Sequence, residues 1–465
     1  MAVLLAVAAW PHVIWAQPAA SPTAGRTLTL EQALEVATEH YPTVRAALEQ
    51  VTAASANVNA ARAAYLPRLD SVWQVNRATA NNVFGQVLPQ SVIPALSGPV
   101  LPSSGGDSVW GSAAGALFSW EPVDLGLRSA VVREARAGVD RARADQGLTR
   151  LGVQNSVGSA FLNVVSAQRA LAAAEADVQR RDVLGRAVHT LVDNQLRPGA
   201  EASRADAELA AARTRSIQAR QVLTVAHAVL AQVLGIADRL VTVDAMALLD
   251  RPPDRAFAET TATEHPLAQA GRAAIDLAHA REDVLTKTNR PRLYLQSSLF
   301  ARGSGANPDG SFDAGADGVG FERTNWAGGF QIVFPNLFEF ASLRARRAAA
   351  GAVTRAETAH YDEAVLTITS QQRAADAAVE AARAIAQNTP VQLAAARQSE
   401  AQARARYDAG LASIVEVAES QSLLSSAEYQ DAVAKVEVWR ALLSQTVANG
   451  SIEPFIQLLR ESGAR

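Results

Sequence analysis

Glu416 and Glu419 stand three residues apart in the stretch RARYDAGLASIVEVAESQS, residues 404–422. On a helix that spacing makes them neighbours on one side, where like charges are mildly destabilising. Such pairs are ordinarily a solvated helix face; the other reading is a site that wants two carboxylates together. Other residue types that could do chemistry do not converge. The seven histidines are scattered. His40 and His265, each just ahead of a proline, are expected to order a turn rather than bind metal. The Gly-rich stretch 303–320 lacks the P-loop lysine pattern and opens no helix, so it reads as an external loop rather than a phosphate cradle. Asp313 and Asp317 within it are read as loop residues before calcium ligands. With no cysteine in the chain, disulfides, thiolate metal sites and a lipid-bearing cysteine are excluded. No convergent acid, base or metal cluster suggests an enzyme, and no cofactor is expected.

The elements that carry the carboxylates come next. In 465 residues the net charge is −3, with no basic footprint for nucleic acid. Only Lys287 and Lys435 are lysines; the other cations are arginines. Residues 1–20 have an apolar core followed by small residues and read as a signal peptide, although the first arginine is Arg26. No charge-free apolar run is long enough for a membrane-spanning helix.

The chain is written twice. ATEHYPTVRAALEQ from Ala37 returns as ATEHPLAQAGRAAI from Ala262, with Tyr41 as the inserted residue, and Pro67-Arg68-Leu69 return as Pro291-Arg292-Leu293. SWEPVDLGLRSAVVREA from Ser119 is echoed from Phe334, and NQLRPGAEASRADAELAAA from Asn194 is echoed from Tyr407. A fixed order of recurring blocks is a tandem duplication. Each copy reads as short helix, strand segment, very long helix, turn and return helix. The first repeat spans 27–234, with strands within 67–121, a long helix over 124–194 and a return helix over 200–234. A linker, 235–261, leads to the second repeat, 262–449, with strands within 292–336, a long helix over 341–409 and a return helix over 411–447. The tail is 450–465. A helix over 124–194 would be roughly 105 Å long at 1.5 Å per residue, which suits a tall wall or rod rather than a globule. Pro390 is expected to kink the second long helix.

Between the helices the period changes to two. Trp73 and Val75 alternate with Gln74 and Asn76; Trp326, Phe330, Ile332 and Phe334 share one face; so do Leu293, Leu295 and Leu299. These segments read as strands of about ten residues, the length and alternation of a transmembrane β-strand. A soluble sheet with one wet face gives the same pattern. Four strands cannot close a barrel in lipid, where an open edge leaves backbone groups unpaired. Closure needs copies, and three protomers would supply twelve strands.

YLPRL at Tyr65–Leu69, WEPVDLG at Trp120–Gly126 and YDAGLASIVEVAESQSLLSSAEYQ at Tyr407–Gln430, set in this duplicated architecture, resemble the TolC-like outer-membrane efflux factors. The resemblance covers nearly all of the chain after the signal. It implies a mainly α fold with a small β part: tandem-duplicated helical hairpins forming a trimeric α-barrel, and four strands per protomer in a 12-stranded transmembrane β-barrel. A mixed belt would come from 27–41, 235–262 and 450–465. It implies a homotrimer in outer-membrane lipid that extends into the periplasm. Such a duct serves an inner-membrane pump of the RND or ABC type through a periplasmic adaptor, for small-molecule efflux or protein secretion, and has no catalysis of its own. The loops 79–107 and 303–323 would face outward. The rival reading is an exported coiled-coil adaptor or scaffold, which would not need the aromatic strands.

By the same resemblance Gly410 is the periplasmic tip, Arg197, Pro198 and Gly199 are its partner turn, and Glu416 and Glu419 line a narrow entrance. Three copies would set these carboxylates in a cation-favouring ring. Asp206 is matched to Glu419 across the repeats and is expected to join them. Tyr407 matches an aromatic that holds neighbouring helix pairs together. Family members can carry a basic residue after the tip glycine; here Leu411, Ala412 and Ser413 stand there.

Overall fold

The computed structural model describes residues 27–79, 108–236, 242–244, 257, 260–305, 311, 315–335 and 339–463. The expected signal segment, the loop 80–107, most of the linker 235–261 and Asp313 lie outside the described residues.

A capping box opens the chain: Thr29 and Gln32 satisfy each other's backbone N–H ahead of α1 (Leu30–His40). Pro42, at the first helical position where its missing N–H costs nothing, starts α2 (Pro42–Ala63). Strands β2 (Arg68–Thr79) and β3 (Ser108–Val123) follow, after the short β1 (Thr27–Leu28). The long α3 (Leu127–Asp193) and its return α4 (Gly199–Val233) complete the first half. After β4 (Thr242–Val243), which pairs in parallel with β1, come α5 (Pro266–Lys287), β5 (Arg292–Ser304) and β6 (Arg323–Val333). The chain ends with α6 (Phe340–Asp408), α7 (Ile414–Ala448) and α8 (Glu453–Gly463). α6 runs as one helix through Pro390.

The four long strands form one antiparallel sheet in the order β2-β3-β5-β6, so the β3–β5 pairing joins the two repeats. The sheet's edges, β2 and β6, come from opposite repeats. Alternation places Trp73, 75% exposed, and Trp326, 81% exposed, with Leu69, Leu299 and Phe330, all open to the surroundings. An exposed apolar face of this kind marks a surface that meets lipid or protein. Among the described residues no helix is long and apolar enough to cross a membrane.

The passage from sheet to rod is tightly capped. Leu125 and Gly126 take left-handed φ values of 51° and 94°, and Asp124 Oδ1 accepts from the Gly126 N–H at 2.9 Å. The buried Arg128 pairs with Asp124 at 3.0 Å, donates to the Ala64 carbonyl and stacks over Tyr65.

α3 packs with α4, and α6 with α7, as two antiparallel hairpins; α2 and α5 lie along them, and α3 also meets α7. The apolar core sits where the ends of the chain converge on the hairpins. Phe161, Leu162 and Val165 of α3 meet Leu230 of α4, Trp439 and Leu442 of α7, Leu34 of α1 and Phe455 of α8.

The two histidines diverge. His265 is the N-cap of α5: its Nδ1 accepts from the Leu267 N–H at 3.0 Å, and its Nε2 donates to the Val447 carbonyl at 3.2 Å. His40 is instead the exposed last residue of α1, because the inserted Tyr41 takes over the cap ahead of Pro42. The His265 ring must be neutral to accept at Nδ1. Burial pushes its pKa down, against the opposing bond to Val447. With the folded pKa depressed, the stabilisation is whole above the ordinary value of 6.5 and is lost as pH falls through the folded value. His265→Ala is expected to lower stability by about 1 kcal/mol. Thermal unfolding followed at pH 7.5 and 5.5 should show a smaller pH dependence in the variant than in the parent.

Candidate functional site

The two hairpins turn by the same backbone device. After α6, Gly410 takes φ 75° and its N–H reaches the Tyr407 carbonyl, while the Leu411 N–H reaches that of Arg406. After α3, Gln195 takes φ 59°, with matching bonds from Gln195 to Val192 and from Leu196 to Leu191. Both are helix C-caps with a left-handed residue. The expected turn Arg197-Pro198-Gly199 therefore begins two residues after the left-handed position. Pro198 is the N-cap of α4 and Gly199 its first residue, whereas the left-handed position belongs to Gln195. α7 begins at Ile414, after the extended Ser413, rather than directly after Gly410.

This correspondence corrects the match between the repeats. Glu201 stands six positions after Gln195, and Glu416 six positions after Gly410. Glu201, not singled out in the sequence, thus answers Glu416. Arg204 answers Glu419, and Asp206 answers Gln421, not Glu419.

Glu201 is also where the turns meet. The Tyr407 hydroxyl donates to Glu201 Oε2 at 2.7 Å, from α6 across to α4. The Arg197 guanidinium lies over the Tyr407 ring at 4.5 Å, donates to the Tyr407 carbonyl at 2.8 Å and approaches Glu201 at 3.9 Å. Tyr407 is 2% exposed. Leu184, Val188, Ala202, Ala205, Ile414 and Val417 surround it. Burial, together with the hydrogen bond to the Glu201 carboxylate and its charge, pushes the Tyr407 phenol up to about 12, with Arg197 opposing. The phenol is a committed donor. Arg197, from the first turn, thereby makes a tie for which no basic residue follows Gly410.

The other carboxylates are not gathered into one cluster. Glu416 pairs with Arg406 of α6 at 3.2 Å, half-exposed. Asp206 pairs with His189 of α3 at 2.9 Å. That hydrogen bond and the Asp206 charge raise the His189 pKa. Glu419 is exposed and has no ion pair among the described residues. No bond joins Asp206 to Glu416 or Glu419. Among the described residues no group of three or more His, Asp and Glu is placed to hold a metal ion.

Known proteins share both sequence and fold with this chain. Residues 33–236 and 259–446 match the outer membrane efflux protein family. Protein CyaE of Bordetella pertussis is 27% identical over 453 residues, covering 95% of this chain and 88% of that protein. The CmeC outer membrane channel of Campylobacter jejuni superposes with a TM-score of 0.72 at 15% identity, over 93% of this chain and 89% of that one. The open state of the MtrE outer membrane channel of Neisseria gonorrhoeae gives 0.68 at 19% identity, over 91% and 89%. The family match spans both repeats, and on that ground the chain belongs to the outer membrane efflux protein family.

Proposed function

We propose that three copies of the chain form one exit duct through the outer membrane, closed at its periplasmic end by the paired turns. Membership in the family makes the chain an outer-membrane channel with a periplasmic extension, not an enzyme. The observation that carries the three-copy reading is the sheet: four strands with an aromatic face turned outward and two unpaired edges. In lipid such edges must be paired. β6 of one copy can meet β2 of the next, and three copies close twelve strands. A helix of 67 residues rises about 100 Å, enough to cross much of a periplasm as the wall of a tube. A soluble adaptor or scaffold would have no use for the exposed Trp73, Trp326 and Phe330. An inner-membrane pump and a periplasmic adaptor would meet the duct at the turns.

At that end, Glu416 and Glu419 sit in the first two turns of α7, and three copies would bring six carboxylates to one entrance. A ring of carboxylates favours cations. The Arg406 partner of Glu416 reduces its share, so the exposed Glu419 is expected to carry more of the field. Glu416→Gln with Glu419→Gln removes the charge and keeps the size. Single-channel recording in a planar bilayer should show weaker cation selectivity and weaker block by multivalent cations, with the effect fading as salt rises. Unchanged selectivity and block would return both residues to an ordinary solvated face.

A further inference from the structure

The interface between α3 and α7 changes character along its length. At the turns it is apolar, around Leu184, Val188, Ile414 and Val417. At the far end it is apolar again, where Phe161 and Leu162 meet Trp439 and Leu443. Between these blocks it is ionic. Asp177 and Arg181 of α3 are each 2% exposed and pair at 3.0 Å. Arg215 of α4 reaches the same carboxylate at 3.0 Å, and Arg181 donates to Glu208 of α4 at 2.8 Å. From α7 come only Ser425, bonded to Asp177 at 2.5 Å, Ser422, bonded to Arg181 at 3.2 Å, and Glu428. Glu428 takes both Nη atoms of Arg180, at 3.2 and 2.6 Å.

The strong pairings of Asp177 and Arg181 therefore stay within the first hairpin. If α7 moved away, Asp177 would keep Arg181 and Arg215, and Arg181 would keep Glu208. What breaks is two bonds to serine hydroxyls and the partly buried Arg180–Glu428 pair. Two further features make this stretch ready to part. Gln421 lies four and seven residues before Ser425 and Glu428, on the same stripe of α7. It is 1% exposed, and neither its Nε2 nor its Oε1 has a hydrogen-bond partner. A buried amide in that state is penalised, and wetting relieves the penalty. Beside Glu428 an open cleft of about 300 Å³ already separates the hairpins, lined by Arg169, Leu393, Arg397 and Lys435 among others. Replacing apolar packing by such a polar layer leaves an interface that water can take apart.

We propose that this polar seam is a second clasp above the turns: once the Tyr407–Glu201 tie and the apolar cluster around Ile414 and Val417 give way, release of Arg180–Glu428, Ser422–Arg181 and Ser425–Asp177 lets α7 leave α3 as far as the apolar block at Phe161 and Trp439. The seam rests on the reading of the turns as the closed end of the duct, and it sets how wide that end opens. Parting leaves Arg180 only the more distant Asp177, at 3.8 Å, and carries Glu428 away on α7, so what the seam loses is ionic, and salt that reaches it through the cleft beside Glu428 should weaken it.

The test compares reconstituted channels in a planar bilayer: the parent, a tip variant (Tyr407→Phe with Glu201→Gln) and that variant with Ser425→Ala and Glu428→Gln added. The combined variant should conduct at least about twofold more than the tip variant. The tip variant's conductance should rise with salt more steeply than that of the bathing solution, and the excess should vanish in the combined variant. If the tip variant opens but the seam substitutions add nothing and leave the salt response unchanged, the clasp is refuted and the tip tie stands. A rise in the combined variant alone would make the seam the principal closure and remove the tip tie. No rise in either refutes both. Loss of the heat-dissociable oligomer on gels from the seam substitutions would make the seam plain structural packing and overturn the proposal.

Discussion

Tyr407→Phe together with Glu201→Gln is expected to raise the conductance of the reconstituted channel several-fold. A hydrogen bond to a charged group contributes about 1.5–3 kcal/mol, and this one is shielded from water on the tyrosine side. If three protomers open together, the contributions add, and each 1.4 kcal/mol is about a tenfold change in the closed-to-open ratio. Both partners must be changed. Removing only the hydroxyl leaves the Glu201 carboxylate half-satisfied by an Arg197 at 3.9 Å, a different perturbation. The Arg197 contacts with the ring and the carbonyl of residue 407 survive the double change, so the turns keep their shape while losing the bond between α6 and α4. The pH dependence has a definite sign. A phenol raised from 10.0 to about 12 gives a contribution that is whole below the ordinary value and is lost only as pH rises through the raised one. Closure by this bond should thus be the same at pH 7 and pH 9. Parent-like conductance in the double variant would dismiss the Tyr407–Glu201 bond as a closing element.

Trp439→Ala should have the largest effect on stability. Trp439 is 0% exposed and meets the Phe455 ring edge-on, centroids 5.9 Å apart, inside the core that joins α7 to α1, α3 and α8. Truncating a buried aromatic to alanine costs about 3–5 kcal/mol, through lost burial and the cavity left behind. The seam above the turns is polar, so this core is what keeps the hairpins together at their other end. Trp439→Phe should cost much less, since it keeps most of the contact and removes an indole N–H that has no partner among the described residues. Thermal unfolding of the purified channel separates the two substitutions. A loss below about 1 kcal/mol for the alanine variant would show that the pocket collapses around the deletion.

The rods and the strands were legible because each rests on a long, repetitive signal. Breaker-free runs rich in alanine, arginine and glutamate mark α3 and α6, and even the proline at 390 does not interrupt the second. Period-two alternation marks β2, through Trp73 and Val75, and β6, through Trp326, Phe330 and Ile332. The site was less legible because its decisive contacts are between residues remote in sequence. Arg406 and Glu416 meet across a turn, and Tyr407 and Glu201 meet across two hairpins. The repeat match slipped at the first turn for a local reason. Gln195 adopts the left-handed conformation that glycine holds in the second, so the glycine that draws the eye there, Gly199, is already helix. One inserted residue had a similar effect at the other end, where Tyr41 displaced His40 from the cap that His265 occupies. Asp177 gave no signal of its own. One acid of three between Glu175 and Asp182, beside two arginines on a long helix, looks like surface until a second helix covers it.

The sheet order has a bearing on how such a chain could have arisen and on how it assembles. In the proposed ring its outer strands, one from each repeat, would be joined head to tail where copies meet, the same kind of joint as the β3–β5 pairing inside the chain. Half of the joints in any closed ring are therefore made covalently adjacent before subunits encounter one another. A ring of fused pairs needs half as many encounters as a ring of single repeats, and each encounter avoided spares translational and rotational entropy. Head-to-tail joints also leave no pairwise stopping point. A subunit with one spoiled edge would halt the ring at that point, and a small fraction of such subunits would disable a larger fraction of the finished channels.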